Sequence, residues 1–193
     1  MKFLTKIDNL LEKYNNSSFK KIDEANLYGL FDSPPPLAKH VVFNSMPQSV
    51  MQNMVKNYKL HFPKQLLTIY KTMNGANLFW TTFAINENLH IPMNYLSIYG
   101  VPLTYDRKHL EPFNISVEDL GRADDTPQNW LKFGSFCFPN DSVEGYDLFV
   151  NVDTEKTFAV ESRTERCNII YTWNSIDECL CDILDKLNAF LDD

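Results

Sequence analysis

The chain has 193 residues, 44% hydrophobic and 13% aromatic, enough for one domain with an ordinary packed core rather than a disordered chain. Its formal net charge of −7 is unevenly placed: residues 1–97 carry ten Lys/Arg against six Asp/Glu (+4), and residues 98–193 carry eight against nineteen (−11). The acidic half argues against nucleic acid as partner, since phosphate contacts need a basic patch, and suits either a basic protein or a merely solubilising face.

Residues 2–14 predict a helix, because Phe3, Leu4, Ile7, Leu10, Leu11 and Tyr14 recur at three- and four-residue spacing. The same stretch opens like a signal peptide, but Lys6 and Asp8 interrupt it and no small-residue cleavage site follows. No apolar run approaches the roughly 20 residues that span a bilayer, so a cytoplasmic location without membrane contact is expected. Lys20-Lys21 and Asp23-Glu24 read as a solvated stretch. Pro34-Pro35-Pro36 reads as a stiff extended loop in preference to a segment for a proline-binding domain, and Val41-Val42-Phe43 as a short strand. Met46-Pro47 introduces a helix over about 48–58, with Val50, Met51, Met54, Val55 and Tyr58 on one face. After a break at His61-Phe62-Pro63, a second helix carries Leu66, Leu67, Tyr70 and Met73. Pro63 suits its first turn, where a missing N–H costs nothing, and Gly75, after Asn74, suits a left-handed closure past its end. This helical pair is expected to pack as a unit against a sheet.

Strands are predicted near 77–85, 95–101, 131–137, 146–152, 156–161 and 167–172, with a hairpin turn at Asp153-Thr154-Glu155-Lys156. Between them, Ser116-Val117-Glu118-Asp119 starts a short helix and residues 121–128 form a polar loop. The last helix has the clearest signals. Ser175 is followed three residues later by Glu178, a capping box, and Ile176, Leu180, Ile183, Leu184, Leu187, Phe190 and Leu191 form one apolar stripe.

Chemistry-bearing constellations are sparse. His40, His61, His90 and His109 do not stand at the helical spacing that puts two imidazoles on one metal. Cys137, Cys167, Cys179 and Cys181 lack metal-site spacing and read as reduced, partly buried thiols. There is no Gly-x-Ser-x-Gly elbow and no glycine-rich phosphate loop. The carboxylates Asp141, Glu144, Asp147, Asp153 and Glu155 do not match an EF-hand loop. Asp147, inside a strand pattern, is expected to be partly buried with a hydrogen-bond partner, and the others to be loop and turn charges. The strand aromatics Phe79, Trp80, Phe83, Phe133, Phe136, Phe138, Tyr146 and Phe149 are assigned to the core, because a base-stacking platform needs a basic groove. These readings indicate no catalytic residue, no metal and no cofactor: a binder rather than an enzyme.

One succession stands out. Phe62-Pro63, a helix, Asn74-Gly75 and a strand over 77–85 are followed by Trp130-Leu-Lys-Phe-Gly134, by Gly145-Tyr146-Asp147-Leu148, and by Trp173 before the capped helix. Over about residues 40–190 this resembles the SUKH superfamily of cell-wall-regulator-like domains. The chain departs from a compact member in its first forty residues and in the long, insertion-like segment 86–129. The resemblance implies a single α+β domain with a central, mostly antiparallel β-sheet flanked by helices. It also implies a function, since many members are bacterial immunity proteins that bind and neutralise a toxin domain, often a nuclease, and others regulate cell-wall assembly. The expectation is therefore a cytoplasmic immunity protein, or antitoxin, that occludes a basic toxin domain. Candidate contacts, chosen by charge and loop position, are Asp124, Asp125, Asp141, Glu144, Asp153 and Glu155, with exposed aromatics as anchors. The alternatives are a regulatory scaffold domain binding a cellular protein and, more weakly, an enzyme with scattered catalytic residues.

Overall fold

The computed structural model describes residues 1–14, 19–22, 25–31, 37–57, 62–86, 89–100, 129–138, 145–162 and 168–190. Among them are four helices, α1 (Lys2–Glu12), α2 (Gln48–Asn57), α3 (Lys64–Thr72) and α4 (Ile176–Ala189). The strands are β1 (Phe19–Lys21), β2 (Ala25–Phe31), β3 (Leu37–Phe43), β4 (Ala76–Asn86), β5 (Leu89–Ile98), β6 (Trp130–Cys137), β7 (Tyr146–Asn151), β8 (Thr157–Glu161) and β9 (Ile169–Trp173). They form one nine-stranded sheet whose spatial order follows the chain, and every neighbouring pair is antiparallel. The fold is α+β, a sheet with helices packed on it.

Contacts run from α1 to α4, from α4 to α3 and from α3 to α2, so the helices form one layer. Their apolar faces share one core with alternate residues of the strands: Phe3 and Ile7 of α1, Leu66 and Ile69 of α3, and Leu180, Ile183 and Leu187 of α4 join Leu78, Leu96, Phe136 and Leu148. The register explains the match, because Leu78 lies opposite Leu96 and Leu96 opposite Phe136, putting one apolar row under the helices. A smaller cluster of Ala25, Leu27, Ala38, Val41 and Phe43 belongs to β2 and β3.

α4 starts as its sequence requires. Ser175 Oγ accepts the Glu178 N–H at 3.1 Å, while the Glu178 carboxylate turns back to Asn174, accepting from its N–H at 3.1 Å and its amide Nδ2 at 3.2 Å. The Trp173 indole donates to Asp182 Oδ2 at 3.1 Å and ties the end of β9 to the helix. The stripe is buried from Ile176 through Leu187; the helix then stops at Ala189, and Phe190 is 48% exposed rather than packed. Leu191 lies outside the described residues.

Both ends of α3 differ from the sequence expectation. Pro63 is the N-cap residue rather than the first helical one, and the helix closes at Met73, in extended conformation, with its N–H on Ile69 O at 2.8 Å. Gly75 lies two residues further on at φ +95°. There its C=O accepts the Phe43 N–H at 3.2 Å, and an added Cβ would stand 2.7 Å from Ile98 O. Both the backbone conformation and the approach of β5 demand glycine. Gly75→Ala should cost about 1–3 kcal/mol in urea denaturation; an unchanged midpoint would show that β5 yields freely.

Two regions differ from the sequence expectation. β1 and β2 precede the short strand read at 41–43, and β3 itself begins at Leu37. β1 is exposed at all three positions, so no apolar alternation announces it; pairing with β2 makes it a strand. The strand expected near 95–101 is β5, which starts earlier, at Leu89, and lies between β4 and β6, so the segment 86–129 is not wholly an insertion. The Pro34–Pro36 run, the helix expected at Ser116 and the loop 121–128 lie outside the described residues. No helix among the described residues is long and apolar enough to cross a membrane.

Candidate functional site

The hairpin turn between β7 and β8 carries two of the six candidate carboxylates, Asp153 and Glu155. Asn151 builds it: its side-chain Oδ1 accepts the N–H groups of Asp153 and Thr154, each at 3.0 Å, and its C=O accepts the Glu155 N–H at 2.8 Å. Glu155 takes φ +56°, the left-handed conformation that closes the turn. Asp153 is exposed, and its Oδ2 accepts from Asn129 Nδ2 at 2.9 Å, which anchors the carboxylate beside the start of β6. Glu155 is half-buried, and its Oε1 accepts the Lys64 N–H at 3.3 Å. It thereby supplies negative charge at the amino end of α3, where Pro63 has no capping side chain. The structure thus brings both residues into one turn but gives them different tasks: Asp153 points a fixed charge at solvent, and Glu155 holds a helix. Asp124, Asp125, Asp141 and Glu144 lie outside the described residues.

A second polar group lies on the sheet face turned away from the helices. Asn77 is opposite Ser97, Ser97 opposite Ser135, and Ser135 opposite Asp147, so one polar row crosses β4 to β7. Asp147 is partly buried, as its strand position suggested. Its Oδ1 pairs with Lys132 Nζ at 3.0 Å and accepts from Ser162 Oγ at 3.2 Å. The Lys132 ammonium also sits 5.5 Å from the Tyr99 ring centroid, a cation–π distance. Beside it the Trp130 ring stacks on Phe158, centroids 4.7 Å apart and planes 9° apart.

Sequence reasoning missed Lys132. A bulge at Phe133 is the cause, because Lys132 is opposite Phe149 whereas Gly134 is opposite Leu148. Simple alternation cannot place the lysine beside Asp147. Gly134 was the available signal, since glycine inside a strand marks a bulge or a close backbone approach, and a Cβ there would stand 2.5 Å from Ser97 O.

His40 is buried between the rings of Tyr14 and Phe79, at 5.0 and 5.1 Å. Its Nδ1 accepts the Phe79 N–H at 3.2 Å, and its Nε2 has no hydrogen-bond partner. Phe79 stands at φ +60°, where the β4–β5 register breaks between Leu78 and Thr81. The imidazole replaces a ladder acceptor that the irregular strand has lost. Burial first, and then the charge of Lys39, lowers its pKa to about 3, so the ring is neutral.

The α4 thiols, Cys179 and Cys181, are poor nucleophiles in this setting. Cys179 is fully buried, and burial first, then the charges of Asp182 and Glu178, raise its pKa well above the thiol range. Half-buried Cys181 is raised by burial and then by Asp177. Cys137 is buried in β6, and Cys167 lies outside the described residues. Among the described residues no group of three or more His, Cys, Asp or Glu is placed to hold a metal ion. Comparison of the chain with protein-family models, with curated proteins and with solved structures finds no match.

Proposed function

We propose that the chain is a protein-binding domain, an immunity protein of the cytoplasm that neutralises a basic toxin domain by occluding it. The observation that carries this reading is the exposed carboxylate of Asp153, fixed on a hydrogen-bonded turn within a half of the chain whose formal charge is −11. A fixed charge of that sign draws a basic partner over long range and loses little freedom on binding. The helix-flanked antiparallel sheet, with Pro63, α3, Gly75 and β4 in the order on which the SUKH resemblance rests, supports the same reading.

The test is stopped-flow association with a toxin domain encoded beside this chain. Raising salt from about 0.1 M to about 1 M shortens the Debye length from about 10 Å to about 3 Å, so the association rate should fall steeply while dissociation changes less. Reversal of Asp124, Asp125, Asp141, Glu144 and Asp153 to lysine should slow association and weaken protection. Glu155 is left in place because its carboxylate holds α3. Salt-independent association, together with full protection by the reversed protein, would reduce these charges to a solubilising face.

A further inference from the structure

We infer that the groove between α2 and α3 is a second docking surface, and that its occupant is an amphipathic helix of a partner protein with an acidic residue one turn from its apolar anchors. The groove is open to solvent, measures about 610 Å³ and is lined, among the described residues, by Met46, Gln48, Met51, Gln52, Leu67 and Lys71. The floor is apolar: Met46 and Met51 are buried and belong to the main core, and Leu67 packs against it. Gln48 and Gln52 on α2 are one helical turn apart, as are Leu67 and Lys71 on α3, so two ridges bound the trough. A trough between such ridges accepts the ridge of a third helix, whose large side chains also stand one turn apart. The volume lies within the roughly 300–1,000 Å³ of natural ligand pockets, room for several aliphatic anchors but not for a whole helix. Unbranched methionines at the floor adapt to the shape of such anchors.

Charge selects the guest. Among the described residues Lys71 is the one charged residue of the lining; it is exposed, and no described carboxylate pairs with it. A guest with Asp or Glu beside its apolar stripe gains an ion pair at the rim, whereas a lysine-flanked guest meets like charge. This inference shares the protein-binding reading but not the acidic turn. The two surfaces therefore fail or succeed separately.

Two synthetic amphipathic helical peptides with the same leucine stripe, one flanked by glutamates and one by lysines, are titrated into the full chain while the methyl NMR signals of Met46 and Met51 are followed. The glutamate peptide should move both signals saturably and bind about tenfold more tightly than the lysine peptide. Lys71→Glu, at an exposed position, should invert that order, and Gln52→Trp, which fills the groove from its rim, should abolish both titrations while the circular dichroism stays native. Silent methionine signals with either peptide, equal binding of both, or an unchanged preference in K71E would overturn the inference. Signals that move with protein concentration alone would give the groove to a second copy of the chain, and overturn it equally.

Discussion

Acidification from pH 6.5 to about 3 should strip on the order of 4 kcal/mol of stability from the fold through His40 alone. In the unfolded chain this histidine takes a proton at its ordinary value of 6.5, but in the fold it does so only at about 3. Across that window the unfolded state binds more protons, so stability rises with pH. The contribution is complete above pH 6.5 and is lost as pH falls toward 3. Protonation would turn Nδ1 into a donor facing the Phe79 N–H only 3.2 Å away, in a site that already holds the positive charge of Lys39 nearby. The rings of Tyr14 and Phe79 pack closely on it from α1's end and from β4. The check is urea denaturation of the wild type and of His40→Asn at pH 7 and pH 4. Asparagine keeps an acceptor near the Nδ1 position and does not titrate. The variant should be weaker at pH 7, because it leaves a void between the two rings, yet lose much less on acidification. Parallel losses in the two proteins would mean that the imidazole is protonated within the fold.

Leu184→Ala should cost about 2–5 kcal/mol, the range for a buried leucine whose surroundings collapse only partly. Leu184 is 4% exposed and lies where α4 meets α1, beside Leu10 and Lys6. Closure of the void is resisted there by polar ties between the two helices. The Lys6 ammonium pairs with Asp185, and Asp177 accepts the N–H groups of Lys2 at 3.2 Å and Phe3 at 3.0 Å. Phe190→Ala is the internal control, since that ring is 48% exposed past the end of the helix and should stay within about 0.5 kcal/mol of wild type. Equal losses at the two positions in chemical denaturation would contradict the burial described for α4.

Elements whose signals are local were legible in the residues alone. α4 shows its cap and stripe within sixteen residues of chain, and α1 and α3 show their apolar faces in the same way. The turn at residues 153–156 and the partial burial of Asp147 followed from polar residues set between or within apolar runs. Other features appear only once the chain has folded. α1 has no capping side chain of its own and takes Asp177; α3 takes Glu155; the Asp177 N–H at the start of α4 takes Gln65 Oε1 at 2.8 Å. β1 is a strand because β2 lies beside it. The bulges at Phe79 and Phe133 place His40 on a backbone N–H and Lys132 on Asp147. A helical stripe or a turn is encoded in the side-chain pattern of residues a few positions apart. The groups that cap α1, α3 and α4 lie between 91 and 175 positions away and meet only after the chain has closed a long loop. β1 and the Lys132–Asp147 pair join residues closer in the chain, but an all-exposed strand and a bulged register leave no alternation for a short window to read.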